Sequence, residues 1–215
     1  MFELRNFWIQ RQPHIPFYTL AAASYIDAVG SGSKEAYCRK AEAYNPILQD
    51  RFGWLHNLVS EALAKHLEAP VQNDSRYALP GFHIFLSHEY FRRSSTASVH
   101  FDLQYQLLEW GTAEEVDFTK PLSFTLAISL PPNGAGLYLW DITRQEALGI
   151  SQAEMDRLIM DRKKTFVPYK PGSLVLHSGH SIHQIAPMFD QDPDTERVTL
   201  QGHAIFCRGE WRVYW

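Results

Sequence analysis

Near Gly81 the chain changes its hydrophobic period, and that switch constrains the fold more than any other feature. Upstream, between Ser33 and Leu67, Leu48, Phe52, Leu55, Val59, Ala62, Leu63 and Leu67 recur at helical intervals and trace one face. Pro46 is expected to divide this region, because a proline pushes the preceding residue out of the helical basin. Downstream the period becomes two and the composition turns to β-branched and aromatic residues. Strands are expected near 81–88, 97–107, 122–130, 136–140, 164–167, 173–177, 181–187 and 197–206. Turn signals separate them at Pro131-Pro132-Asn133-Gly134, at Pro171-Gly172 and at Asp190-Gln191-Asp192-Pro193-Asp194. Short strands in this number predict a mainly β double-sheet jelly roll, an architecture that leaves few sheet edges open. The amphipathic helical region at the N-terminus is expected to cover one side of it.

A chain of 215 residues fits one domain, read as a largely helical support region over 1–75 and a jelly-roll core over 76–215. A helical insertion is expected near 151–163, where Ser151 and Glu154 form a capping box ahead of Met155, Leu158 and Ile159. Hydrophobic residues make up 45% and charged residues 20%, enough apolar material for a full core. The net charge of -4 and the lack of Lys/Arg runs argue against a nucleic-acid or anionic-membrane partner. Two distant cysteines, Cys38 and Cys207, fit a reducing compartment. The N-terminus lacks the basic-then-apolar order of a signal peptide, and no apolar run is long enough to span a membrane. A soluble, cytoplasmic protein is expected.

The chemistry concentrates in Ser98-Val99-His100-Phe101-Asp102. In a strand, residues two apart share a face, so His100 and Asp102 can grip one object. Aspartate is disfavoured in strands and costly to bury unpaired, so Asp102 between Phe101 and Leu103 calls for a cation. An imidazole and a carboxylate joined by a second, distant histidine form a facial metal triad with positions left open. Three candidates follow: His177, His180 and His183. His183 is favoured because a chain reversal around Asp190–Thr195 would pair its strand as a hairpin with the strand that begins at Arg197. His177 and His180 remain structural alternatives, or groups that orient a ligand. Along Arg197-Val198-Thr199-Leu200-Gln201-Gly202-His203-Ala204, alternation places Arg197, Thr199, Gln201 and His203 on one face. An arginine there offers a planar fork of donors that matches a carboxylate.

His100-x-Asp102, then His183, then Arg197-x-Thr199 resembles the Fe(II)- and 2-oxoglutarate-dependent dioxygenase superfamily. Leu126 to Trp140 is similar to the strand, glycine-containing turn and strand that follow its first motif. Lys170-Pro171-Gly172-Ser173-Leu174-Val175-Leu176 is similar to the strand leading to its distal histidine. The match covers roughly residues 80–206. The resemblance implies a double-stranded β-helix of cupin-like form. It also implies Fe(II) held by His100, Asp102 and His183, with 2-oxoglutarate as cosubstrate and its far carboxylate on Arg197 and Thr199. The third reactant is O2. Products would be succinate, CO2 and an oxidised substrate. Because Asp102 is present, the implied outcome is hydroxylation, desaturation or ring closure rather than halogenation.

Gln104, Tyr105, Gln201 and His203 are the candidate substrate contacts, with Gln104 and Gln106 continuing the face of His100. Tyr105, Trp110 and Trp140 are candidates for the pocket mouth. A small polar metabolite, such as an amino acid, is the expected substrate. A protein or peptide side chain is the alternative within the enzyme class. Outside it stands a cupin that binds a metal or ligand without using O2. Oligomeric state is not readable from the sequence.

Overall fold

The computed structural model describes residues 1–29, 32–93, 97–111, 115–188 and 194–215. The fold is mainly β. Its strands are β1 (Ile9–Gln12), β2 (Ile15–Leu20), β3 (Val71–Asn73), β4 (Gly81–Leu86), β5 (Val116–Ser129), β6 (Gly136–Thr143), β7 (Lys164–Pro168), β8 (Leu174–Ser178), β9 (Ser181–Ile185), β10 (Glu196–Cys207) and β11 (Glu210–Tyr214). Helices are α1 (Ser24–Asp27), α2 (Lys34–Leu67), α3 (Glu89–Arg93) and α4 (Gln152–Asp161). The eight-stranded sheet is built around β10, which pairs along one edge with β4 and then β11, and along the other with β5. β1 and β2 extend it beyond β4, β8 beyond β5, and β3 beyond β11. The second sheet has three strands in the order β7-β6-β9.

Alternation along β10 decides which face is apolar and which is chemical. Val198, Leu200 and Ala204 join Phe82, Ile84, Phe124 and Leu126 in the main core. α2 lays Leu48, Leu55, Val59 and Leu63 over that face. The intervening residues Arg197, Thr199, Gln201 and His203 point the other way, and two of them, Gln201 and His203, line a cavity formed from both sheets. Among the described residues, no helix is long and apolar enough to cross a membrane.

Four expectations are corrected. Pro46 lies inside one continuous helix rather than dividing it. Pro46 and Glu42, whose carbonyl loses its partner, both face solvent, where water can serve that carbonyl. Asn45 anchors the same turn, donating to the Tyr77 carbonyl at 2.9 Å and accepting from the Leu79 N–H at 3.0 Å. The segment 97–107 is not a strand. It makes an isolated bridge between His100 and His183 and then becomes a 3-10 helix over Gln104–Leu107. β9 and β10 are not a hairpin, because β9 belongs to the small sheet and β10 to the large one. Of the turn signal between them, Asp190 to Pro193 lies outside the described residues. Finally, the N-terminal region supplies three strands of the main sheet, β1, β2 and β3, that the sequence reading did not anticipate. The capping box on α4 is formed as read.

Candidate metal centre and its cavity

His100 and His183 exchange backbone hydrogen bonds, each N–H reaching the other's carbonyl at 3.0 Å. Two residues on, the Asp102 N–H donates to the Gly179 carbonyl at 2.9 Å. This broken strand still brings both side chains to one side. His100, Asp102 and His183 each offer a ligand atom, and those atoms all lie within 4.8 Å of one another. Gly179 is required for the approach: a Cβ there would sit 2.8 Å from the Asp102 carbonyl oxygen.

The two imidazoles are oriented alike. His100 Nδ1 lies 2.7 Å from the Ser98 carbonyl and His183 Nδ1 lies 3.0 Å from the Ser181 carbonyl. A carbonyl oxygen only accepts, so each Nδ1 carries the proton and each neutral ring turns its Nε2 lone pair inward. Nε2 of His100 is 3.6 Å from Asp102 Oδ1, and Nε2 of His183 is 3.3 Å from Oδ2. Burial pushes the His183 imidazole down to about 4, so it is neutral near pH 7. Burial opposes charge on Asp102 too, but His183, His203 and His100 outweigh it and hold the carboxyl well below its usual range. At His100 burial favours the neutral ring, while hydrogen bonding and attraction to Asp102 raise it on balance. Two acceptor nitrogens and a carboxylate therefore converge on one point, and a divalent cation is the group that this donor set suits.

Arg197 is 1% exposed. Its guanidinium lies between the rings of Phe85, at 5.5 Å, and Tyr169, at 5.3 Å. Nη1 reaches the Ala186 carbonyl at 3.4 Å, while Nε and Nη2 find no partner among the described residues. Those two nitrogens form one edge of the fork, the edge that meets a carboxylate bidentately. Thr199 is fully buried on the same strand face, and its hydroxyl oxygen accepts from Gln201 Nε2 at 3.4 Å, which leaves its proton free to donate.

The remaining predicted residues fall differently. Gln104 is buried and donates to Asp102 Oδ1 at 2.9 Å, so it serves the carboxylate. Gln106 is exposed, because the turn of the 3-10 helix takes it off the inner side. Tyr105 is buried, with its hydroxyl against Arg144 at 2.8 Å and His180 at 2.9 Å, and does not line the cavity. Trp110 and Trp140 are core residues in separate apolar clusters. Gln201, His203 and His177 do line the cavity, whereas His180 does not. The His177 ring packs 4.3 Å from that of His183, and its Nδ1 lies 3.1 Å from the Ser178 carbonyl.

The sequence reading missed part of the cavity lining. The cavity, about 340 Å³, is closed on one side by Phe17 of β2 and by Tyr25 and Ile26 of α1. The Tyr25 hydroxyl is hydrogen-bonded to Nε2 of the buried His83. Ser123 was missed as well. It donates to Asp102 Oδ2 at 2.6 Å. The signal was present: Ser123 and Thr125 alternate with Leu122, Phe124 and Leu126 along β5, as the polar residues of β10 do.

No protein-family model matches the chain, and no curated relative does. Among solved structures it is similar to an N-substituted L-amino acid dioxygenase from Burkholderia ambifaria AMMD. The TM-score is 0.57 at 18% identity, covering 90% of this chain and 77% of that one. The same dioxygenase in complex with alpha-ketoglutarate gives a TM-score of 0.55 at 17% identity, covering 90% and 76%. The non-heme alpha-ketoglutarate-dependent carbocyclase SnoK, from nogalamycin biosynthesis, aligns at a TM-score of 0.47 and 13% identity, covering 96% and 73%. At these identities the Burkholderia likeness is one of fold.

Proposed function

We propose that this chain is an Fe(II)- and 2-oxoglutarate-dependent oxygenase built on a double-stranded β-helix, acting on a small polar metabolite. The observation that carries the reading is the convergence of two imidazole acceptors and one carboxylate at a cavity, with a buried arginine of unpaired edge packed against two of its lining residues, Phe85 and Tyr169. His100, Asp102 and His183 would hold the iron. Bound there, iron would couple the decarboxylation of 2-oxoglutarate and the reduction of O2 to oxidation of a substrate C–H bond.

The chain's own residues supply positioning. The Ser98 and Ser181 carbonyls fix the tautomers of the two histidines. Arg197, packed against Phe85 and Tyr169, would meet the far carboxylate of 2-oxoglutarate with Nε and Nη2, and the Thr199 hydroxyl would donate beside it. The aromatic rings and the main sheet exclude water from that pair, which strengthens it. Phe17, which continues the Arg197–Phe85 row across the main sheet, and Tyr25 and Ile26 of α1 line the part of the cavity against which the substrate packs. The likeness to a dioxygenase of N-substituted L-amino acids makes amino acids and their N-substituted derivatives the first class to test.

The deciding experiment is an anaerobic titration of the metal-free protein with Fe(II) and then 2-oxoglutarate. A visible charge-transfer band, followed by succinate release on admitting O2, is the expected result. Tight Zn(II) binding with neither band nor succinate would replace this reading with that of a metal-binding cupin.

A further inference from the structure

We infer that Ser123, backed by His203, is a positioning residue that sets the orientation of the Asp102 carboxylate toward the metal, with Gln104 holding the other oxygen. This rests on the reading of His100, Asp102 and His183 as a metal site.

Asp102 lies outside any strand, and its backbone N–H is tied only to Gly179. Something other than a ladder must therefore fix its side chain. Ser123 on β5 and His203 on β10 are direct cross-strand partners, so their side chains stand together on the inner face. Ser123 Oγ is 2.6 Å from Asp102 Oδ2 and 3.0 Å from His203 Nδ1. His203 Nδ1 itself is 3.9 Å from Oδ2, too far for a direct hydrogen bond, so the serine is the link.

Charge fixes the direction of this relay. An ionised carboxylate only accepts, so the one hydroxyl proton of Ser123 points at Oδ2. The serine oxygen is then the acceptor, and His203 must carry its proton on Nδ1. The chain reads His203 Nδ1–H to Ser123 Oγ–H to Asp102 Oδ2. Gln104 Nε2 donates to Oδ1 at 2.9 Å, so each oxygen has one hydrogen bond and keeps a lone pair for another partner. Ser123, His203 and Gln104 are all buried and line the same cavity as Asp102, so direct contacts from Ser123 and Gln104 hold the carboxylate at that wall.

Titration of the metal-free protein with Co(II), followed by visible absorption and calorimetry, tests the relay without turnover. Ser123→Ala should weaken Co(II) binding about 10- to 100-fold, the usual loss on removing a partner of a ligand. It should also change the Co(II) absorption spectrum. Ser123→Thr, which keeps the hydroxyl, should restore both. His203→Asn keeps a donor near the Nδ1 position and should stay close to wild type, whereas His203→Leu should resemble Ser123→Ala. Wild-type affinity and spectrum in Ser123→Ala would overturn the relay while leaving the metal site standing. Equal losses in all four variants, matched by lower melting temperatures without metal, would also overturn it and reduce both residues to packing. Failure of wild type to bind Co(II), or undiminished binding in Asp102→Ala, would remove the metal site and the relay with it.

Discussion

Arg197 carries a charge in a place where almost no water reaches it, with half its fork unengaged. A hydrogen bond to a charged group contributes about 1.5–3 kcal/mol net. Arg197→Ala should therefore weaken 2-oxoglutarate binding at least about tenfold, since about 1.4 kcal/mol is one decade. Arg197→Lys keeps the charge but loses the planar edge, so its loss should be smaller yet measurable. Calorimetry on the metal-loaded variants reads both, and equal affinities across wild type and variants would refute the cosubstrate role. At the metal, single alanine replacements of His100, Asp102 or His183 should abolish Fe(II)-dependent succinate formation while the protein stays folded. His177→Ala and His180→Ala should do less harm, the latter because His180 is engaged by Tyr105 and Arg144 outside the cavity. Gly179→Ala belongs with the damaging set, since its Cβ would displace the Asp102 backbone. A circular dichroism spectrum beside each succinate assay separates loss of the site from loss of the fold. An aspartate amid apolar neighbours and a polar row on one strand face were legible because burial makes such residues expensive without a partner. Ser123 was not, because a serine is small enough to sit in a strand without strain and advertises nothing until Asp102 is placed beside it.

Elements were legible where one physical term dominated. The long α2 was readable from its period, and the β10 strand from its alternation. The proline in α2 misled because local propensity argues against it, whereas the helix is held by the apolar face it buries on the sheet. Pro46→Ala would restore an N–H for the Glu42 carbonyl and should stabilise the protein, by up to about 3 kcal/mol. Urea denaturation checks the sign. The strand expected over 97–107 failed because periodicity does not report whether a neighbour is available for a full ladder, and among the described residues this segment makes a single bridge, His100 to His183. The first two strands were hidden by their composition: β1 is mostly polar, Ile9-Gln10-Arg11-Gln12, and β2 carries Pro16, which argues against a strand. They are secured by Arg11 of β1, whose Nη1 and Nη2 meet the two oxygens of buried Asp27 at 2.8 Å each. Lys40 and the Ala23 N–H also reach Asp27. Burial would raise the Asp27 pKa, but the hydrogen bonds from Arg11, Lys40 and Ala23 outweigh it and hold the carboxyl below its ordinary value. A depressed folded value means that this stability is complete above the unfolded value of about 3.9 and is lost as pH falls through the folded one. Asp27→Asn should cost about 3–5 kcal/mol near neutrality by leaving Arg11 buried and uncompensated, and should flatten stability against pH at the acid end. Unfolding curves at pH 7 and at decreasing acid pH would check both.

For the molecule as a whole, the N-terminal third cannot be treated as a detachable cover. β2 pairs with β4 from Phe17↔Phe85 to Leu20↔Phe82, and α2 covers the apolar face of the main sheet. Deleting the chain up to Arg76 would bare that face and the β4 edge together, so the truncated protein should aggregate. A soluble truncation that still turns over 2-oxoglutarate would contradict this account of the core. At the metal centre His100, which belongs to neither sheet, is joined to the small one by its reciprocal hydrogen bonds with His183. An ion gripped by His183 of the small sheet and by Asp102, itself tethered through Ser123 to the large one, would act as a rivet between the layers. Binding that favours the native state raises its unfolding free energy by about 2.7 kcal/mol at a ligand concentration one hundred times its dissociation constant. The melting temperature should accordingly climb with the logarithm of free Co(II) or Zn(II), in a protein that is performing no reaction at all.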